Sequence, residues 1–154
     1  MPSATSSVNA AIIALVAAIG TQVTALDPSA AISVTEGPPT QNQPDDLVVI
    51  GERINQQYEP HALVGSGGSG WLHETFEISV HIDVYRGGDL FSVARLRALA
   101  IAKACDDAVR LDPSLAGTVY LAYPSAHSYE QLWEPDNKGV RVVADMFVHC
   151  QAIP

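Results

Sequence analysis

Trp71-Leu72-His73-Glu74-Thr75-Phe76-Glu77-Ile78-Ser79-Val80-His81-Ile82-Asp83-Val84-Tyr85 is the stretch that decides the fold. Leu72, Phe76, Ile78, Val80, Ile82 and Val84 share one parity, broken only by Glu74, while His73, Thr75, Glu77, Ser79, His81 and Asp83 share the other. Successive side chains on a strand point to opposite faces, so this alternation predicts a long strand with one face buried and one facing solvent or a partner.

The flanks extend the pattern. Arg86-Gly87-Gly88-Asp89 turns the chain, and Leu90–Leu111 reads as a helix stopped by Asp112-Pro113. Its core stripe is Leu90, Ala94, Ala98, Ile101, Cys105, Ala108 and Val109; Leu96 and Leu99 fall on the opposite, charged face and hint at a helix-borne contact. Thr118–Tyr123 reads as a strand, Pro124–Asn137 as a loop carrying His127, Tyr129 and Trp133, and Gly139–Ala152 as a last strand with valine on one parity. Upstream, Val8, Ile12, Leu15, Val16, Ile19, Val23 and Leu26 recur at helical spacing over Val8–Leu26, with Ser6 or Ser7 to cap it and Pro28 beyond. The other face of that helix is small (Ala10, Ala14, Ala17, Ala18, Thr21), which suits either a one-sided surface helix or one contacted on both sides. Ala31–Thr35 and Leu47–Ile50 are short strands, and 53–70 is read as a flexible loop ending in Gly65-Ser66-Gly67-Gly68-Ser69-Gly70. The expected class is α+β: two helices on a mainly antiparallel sheet, order α-β-β-β-α-β-β, in one domain over 1–154.

Composition narrows the function. With 17 acidic and 8 basic side chains among 154 residues, the formal net charge is −9; a nucleic-acid binder needs the opposite balance. Charged residues make up 16%, against roughly 25% in an average soluble domain, which suggests surface that becomes covered. Asp27 carries the first ionisable side chain. A secretory signal is one reading of Ala10–Gly20, but the segment before it lacks the basic residues of such signals, and the run is short for a bilayer span. Cys105 and Cys150 have neither metal nor redox spacing and read as buried thiols.

The search for chemistry finds no convergent set. The Gly/Ser loop precedes a strand rather than a helix and lacks a lysine, so it is no phosphate cradle, and Ser66 lacks the strand–turn–helix context of a nucleophile elbow. Asp45-Asp46 and Asp106-Asp107 read as solvated charges. His73 and His81 lie roughly 26 Å apart along one strand, too far for one ion, whereas His81 with His149 stays open as a metal pair. The expectation is no enzyme, no cofactor and no metal.

The ordering resembles the tail terminator family of long-tailed (siphovirus-type) phages and gene-transfer particles, over nearly the whole chain. The pieces are helix Val8–Leu26, Val34-Thr35-Glu36-Gly37-Pro38-Pro39, Leu47-Val48-Val49-Ile50-Gly51, the strand Glu74–Val80, the helix after it, Asp112-Pro113-Ser114-Leu115-Ala116-Gly117 and the valine-rich last strand. The resemblance implies a structural virion protein of the tail or neck, assembled in the host cytoplasm. Its partners would be itself in a ring of six, the tail tube protein, and a head-side connector or stopper, with DNA only as passing cargo and no membrane. A head-closure or connector-adaptor protein and a small cytosolic ligand-binding module are the competing classes. Interface candidates are Leu96, Leu99, Gly65, Gly67, Gly68, Gly70, Tyr129 and Trp133; Glu77, His81 and Asp83 are candidates for a lumen- or partner-facing strand face.

Overall fold

The computed structural model describes residues 6–29, 31–38, 44–60, 72–88, 91–134 and 138–152. Its elements are α1 (Val8–Leu26), β1 (Ile32–Glu36), β2 (Asp46–Pro60), β3 (Leu72–Gly87), α2 (Phe91–Leu111), β4 (Leu121–Trp133) and β5 (Gly139–Ala152). The order is the expected α-β-β-β-α-β-β. One sheet has strand order β1-β2-β3-β5-β4, antiparallel throughout except for the β1–β2 pair. The Gly/Ser segment, and with it Gly65, Gly67, Gly68 and Gly70, lies outside the described residues.

Alternation places the core. Phe76, Ile78, Val80, Ile82 and Val84 of β3 and Val140, Val142, Ala144, Met146, Val148 and Cys150 of β5 are buried on one face. Onto it pack Ala11, Ile12, Leu15, Ile19 and Val23 of α1 and Ala94, Ala98, Ile101, Cys105, Ala108 and Val109 of α2. At 19 residues and a hydropathy of 1.8, α1 is long and apolar enough to cross a bilayer, beyond the shorter run marked by the sequence; here its apolar stripe lies in the core. Ala14 and Ala18 are half-buried against that core, whereas Ile13 and Ala17 face outward.

Two elements differ from the sequence reading. Residues 53–60 are strand, not loop: β2 passes a bulge between Ile50 and Ile54 and continues against β3 to Pro60. Gly51 sits in that bulge at φ +80°, with the Ile12 side chain 3.7 Å from where a Cβ would stand, so it permits the left-handed step under α1. Likewise β4 runs on to Trp133, paired with β5 through a shift at Pro124/Ala126, so Tyr129 and Trp133 belong to an edge strand. Both extensions are exposed, and a strand with no buried face carries no period-two signal. At the far end of the β3–β5 pair, a Cβ on Gly139 would fall 2.6 Å from the Arg86 carbonyl oxygen and 2.7 Å from the Tyr85 ring; only glycine fits.

Burial raises both thiols to about 12 from the ordinary 9.0, Asp106 adding to the effect at Cys105. The neutral thiol is thus favoured in the fold, whereas an unfolded chain ionises from about pH 9. Stability is therefore lost as pH rises from about 9 toward 12. A thiol reagent at pH 8 is expected to leave both cysteines untouched until denaturant unfolds the chain; reaction at native stability would contradict their burial.

Candidate functional site

Charged groups inside the fold are structural. Asp46, read from sequence as solvated, is 3% exposed. It belongs to β2 and shares parity with Val48 and Ile50, so it points under the helices. Two guanidiniums hold it: Arg86 Nη1 and Nη2 at 2.6 and 3.1 Å, and Arg97 Nε at 2.9 Å. Arg97 also donates from Nη2 to Asp27 just past α1. One α2 side chain thereby ties the end of α1 to the start of β2. Burial disfavours the Arg97 charge, but Asp27 and Asp46 outweigh it and raise its pKa above the ordinary value. Asp27 is held down at about 2, chiefly by the Ser29 hydroxyl and then by Arg97.

Glu74, the one break in the β3 alternation, is fully buried. Its carboxylate accepts from the Ser6 hydroxyl, the Ser7 backbone N–H at 3.1 Å and Gln56 Nε2 at 2.6 Å. An anion at a helix N-terminus meets amides that have no partner in the helix. Ser6 Oγ also accepts from the Val8 N–H at 3.1 Å, so Ser6 is the serine that caps α1, while Ser7 makes no side-chain cap.

The sheet face away from the helices is polar and lies in rows. In one row Glu77 stands beside His149 at 3.7 Å, and the His149 ring meets Tyr123 at 4.9 Å between centroids. Two rows on, past Ser79 and Phe147, His81 Nδ1 lies 2.7 Å from Asp145. These rows are four residues apart along β3, about 13 Å, so His81 and His149 do not meet around one ion. Among the described residues no group of three or more His, Cys, Asp or Glu could hold a metal. Asp83 shares the face but is buried, paired with Arg141, which also reaches Glu134. Glu77 and His81 remain open to solvent. Two shallow depressions of about 500 Å³ each lie on this side, one along Asn55, Gln57, Glu77 and His149, the other along Arg53, Ser79, His81 and Asp145.

Beside the helices, α2 runs along β4 through specific pairs: Phe91 edge-on to Trp133 at 4.8 Å, Arg95 to Gln131 at 3.0 Å, and Asp106 to His127 at 3.0 Å. Leu99 lies on the same α2 stripe between Arg95 and Asp106, and Tyr129 lies between Gln131 and His127 on the facing side of β4. Leu96 is 68% exposed, Leu99 42%, Tyr129 46% and Trp133 55%. Leu99, Tyr129 and Trp133 come to one margin of the molecule, the α2–β4 seam, whereas Leu96 lies on the side of α2 opposite its buried stripe. Exposed aromatics beside leucine on a polar surround are the composition of a protein contact. The sequence does not reveal the Asp106–His127 pair, because alternation through β4 is interrupted by Pro124 and the bulge. No protein-family model and no curated protein matches the chain.

Proposed function

We propose that this chain is a structural virion protein of the tail-terminator type, which caps the tail tube as a ring of copies, ends tube polymerisation and joins the tail to a head-side connector. The observation that carries the reading is the two-sided sheet. One face holds the helices; the other carries Glu52, Glu59, Glu77, Glu130 and Asp145, with Asp83 buried beneath Arg141, and among the described residues of these strands Arg53 and Arg141 are its arginines. A ring that turns this acidic face inward repels the DNA it must let pass, since like charges facing a channel prevent adsorption. The exposed α2–β4 seam supplies apolar contact area for neighbours, and the role asks for no catalytic group.

Deletion of the gene in a phage or gene-transfer particle that encodes it tests the role. Electron microscopy is expected to show tails of uncontrolled length without heads. Tails of normal length lacking heads would place the chain among the connector adaptors instead, and intact particles would exclude both.

A further inference from the structure

Both margins of the sheet are open among the described residues. β1 covers β2 only through Ile50, so residues 51–60 have β3 on one side and no strand on the other. At the opposite margin β4 pairs with β5 alone. Soluble proteins blunt such edges with lysine, proline, bulges or shortness. Beyond its irregularity at Pro124/Ala126, β4 has none of these through Trp133, and Glu130 is its one carboxylate.

Strand sense fixes how a like margin can add. If β2 runs up, β3 runs down, β5 up and β4 down. A second copy in the same orientation therefore offers an upward β2 to a downward β4, an antiparallel match. We infer that the free half of β2 in one copy adds antiparallel to β4 of the next, with Arg53 opposite Glu130 and Ile54 opposite Tyr129. This deepens the ring reading above and rests on it for the second copy.

The side chains select that register. Arg53 and Glu130 are exposed, and neither has an ion partner among the described residues. Both lie toward the uncovered face, with Asn55 and Ser128 beside them. Ile54 and Tyr129 lie on the helix side, 41% and 46% exposed, and an aromatic–β-branched pair is a favourable cross-strand contact. A shift of two residues either way loses both matches at once. Pairing β4 residues 125–132 with β2 residues 58–51 also stops short of Ile50, where β1 begins to occupy that edge.

The implied stagger is independently consistent with closure. Within one chain His127, Met146, Val80 and Ile50 stand in one row, whereas the proposed contact puts His127 opposite Gln56, which pairs with Phe76, four residues from Val80 along β3 because the bulge takes up two residues of β2. Four residues rise about 13 Å, and four strands span about 19 Å. The resulting tilt is about 35°, at the lower end of the range for closed barrels. The two margins differ, so the contact is head-to-tail and builds a ring where its rotation closes.

Disulfide trapping in the full chain tests the register. Ser128→Cys and Asn55→Cys are made singly; native Cys105 and Cys150 are buried and give no background. On mild oxidation a covalent dimer is expected only when the two variants are mixed. Self-linking of the Ser128→Cys chain would overturn the head-to-tail contact, as would absence of any link under conditions where sedimentation shows assembly; in that case the ring reading stands and this contact falls. A chain that neither links nor assembles at any concentration, alone or with tube protein, removes both. Glu130→Arg and Arg53→Glu are each expected to weaken assembly about tenfold or more, and the double exchange to restore it. Failure of the double exchange to restore assembly overturns the pairing.

Discussion

Arg97→Ala is expected to lower the stability of the fold by about 3–5 kcal/mol, the cost of breaking a buried ion pair from one side. The guanidinium contacts both Asp27 and Asp46. Without it, Asp46 keeps Arg86 but loses its second cation at 3% exposure, and α1 loses its tether at Asp27. For a chain of this size, 1 kcal/mol moves the melting temperature by roughly 2–4 °C, so calorimetry should show a fall of about 6–20 °C. Arg97→Lys is expected to recover only part of this, because one ammonium cannot reproduce a fork that meets two carboxylates in different directions. A melting temperature within a degree or two of the parent would mean that the cluster is solvated.

Glu74→Ala is expected to cost about 3 kcal/mol, from a lost charge-assisted hydrogen bond and a lost helix cap. It strands the Ser7 N–H that the carboxylate now accepts, while Gln56 Nε2 keeps the Ser6 and Tyr58 hydroxyls as acceptors. Glu74→Gln keeps the shape and one acceptor and should cost about half as much. Denaturant midpoints measure the size, and hydrogen exchange gives the place: Val8 and Asn9 amides should lose protection ahead of the β3–β5 pair. Equal protection in variant and parent would show that Glu74 does not anchor α1.

These two residues show what the sequence reveals and where it is silent. α1, β3 and β5 bury one stripe or face along their length, so their periodicity marks them, and β5 runs over the range read from alternation. Residues 52–59 of β2 and most of β4 are exposed, so they carry no burial pattern to be read, and their pairing depends on partners distant in sequence. Glu74 is visible as a charge on an apolar parity, a signal that predicts a buried partner, whereas Asp46 precedes the unbroken apolar run Leu47–Ile50 and reads as solvated. Its partner cannot be read, because Arg97 meets Asp27 and Asp46 only after α1, α2 and β2 have packed. The margin formed by Leu99, Tyr129 and Trp133 is similar: each is visible singly, and the register of α2 on β4 brings them to one seam.

The proposed function requires that copies of this chain close into a ring. Native mass spectrometry of the purified chain, alone and with tail tube protein, tests it most directly. Six copies of a 16.3-kDa chain predict a closed species near 98 kDa that gains no further copies as concentration rises. A 16.3-kDa monomer at every concentration and with tube protein present would contradict the account.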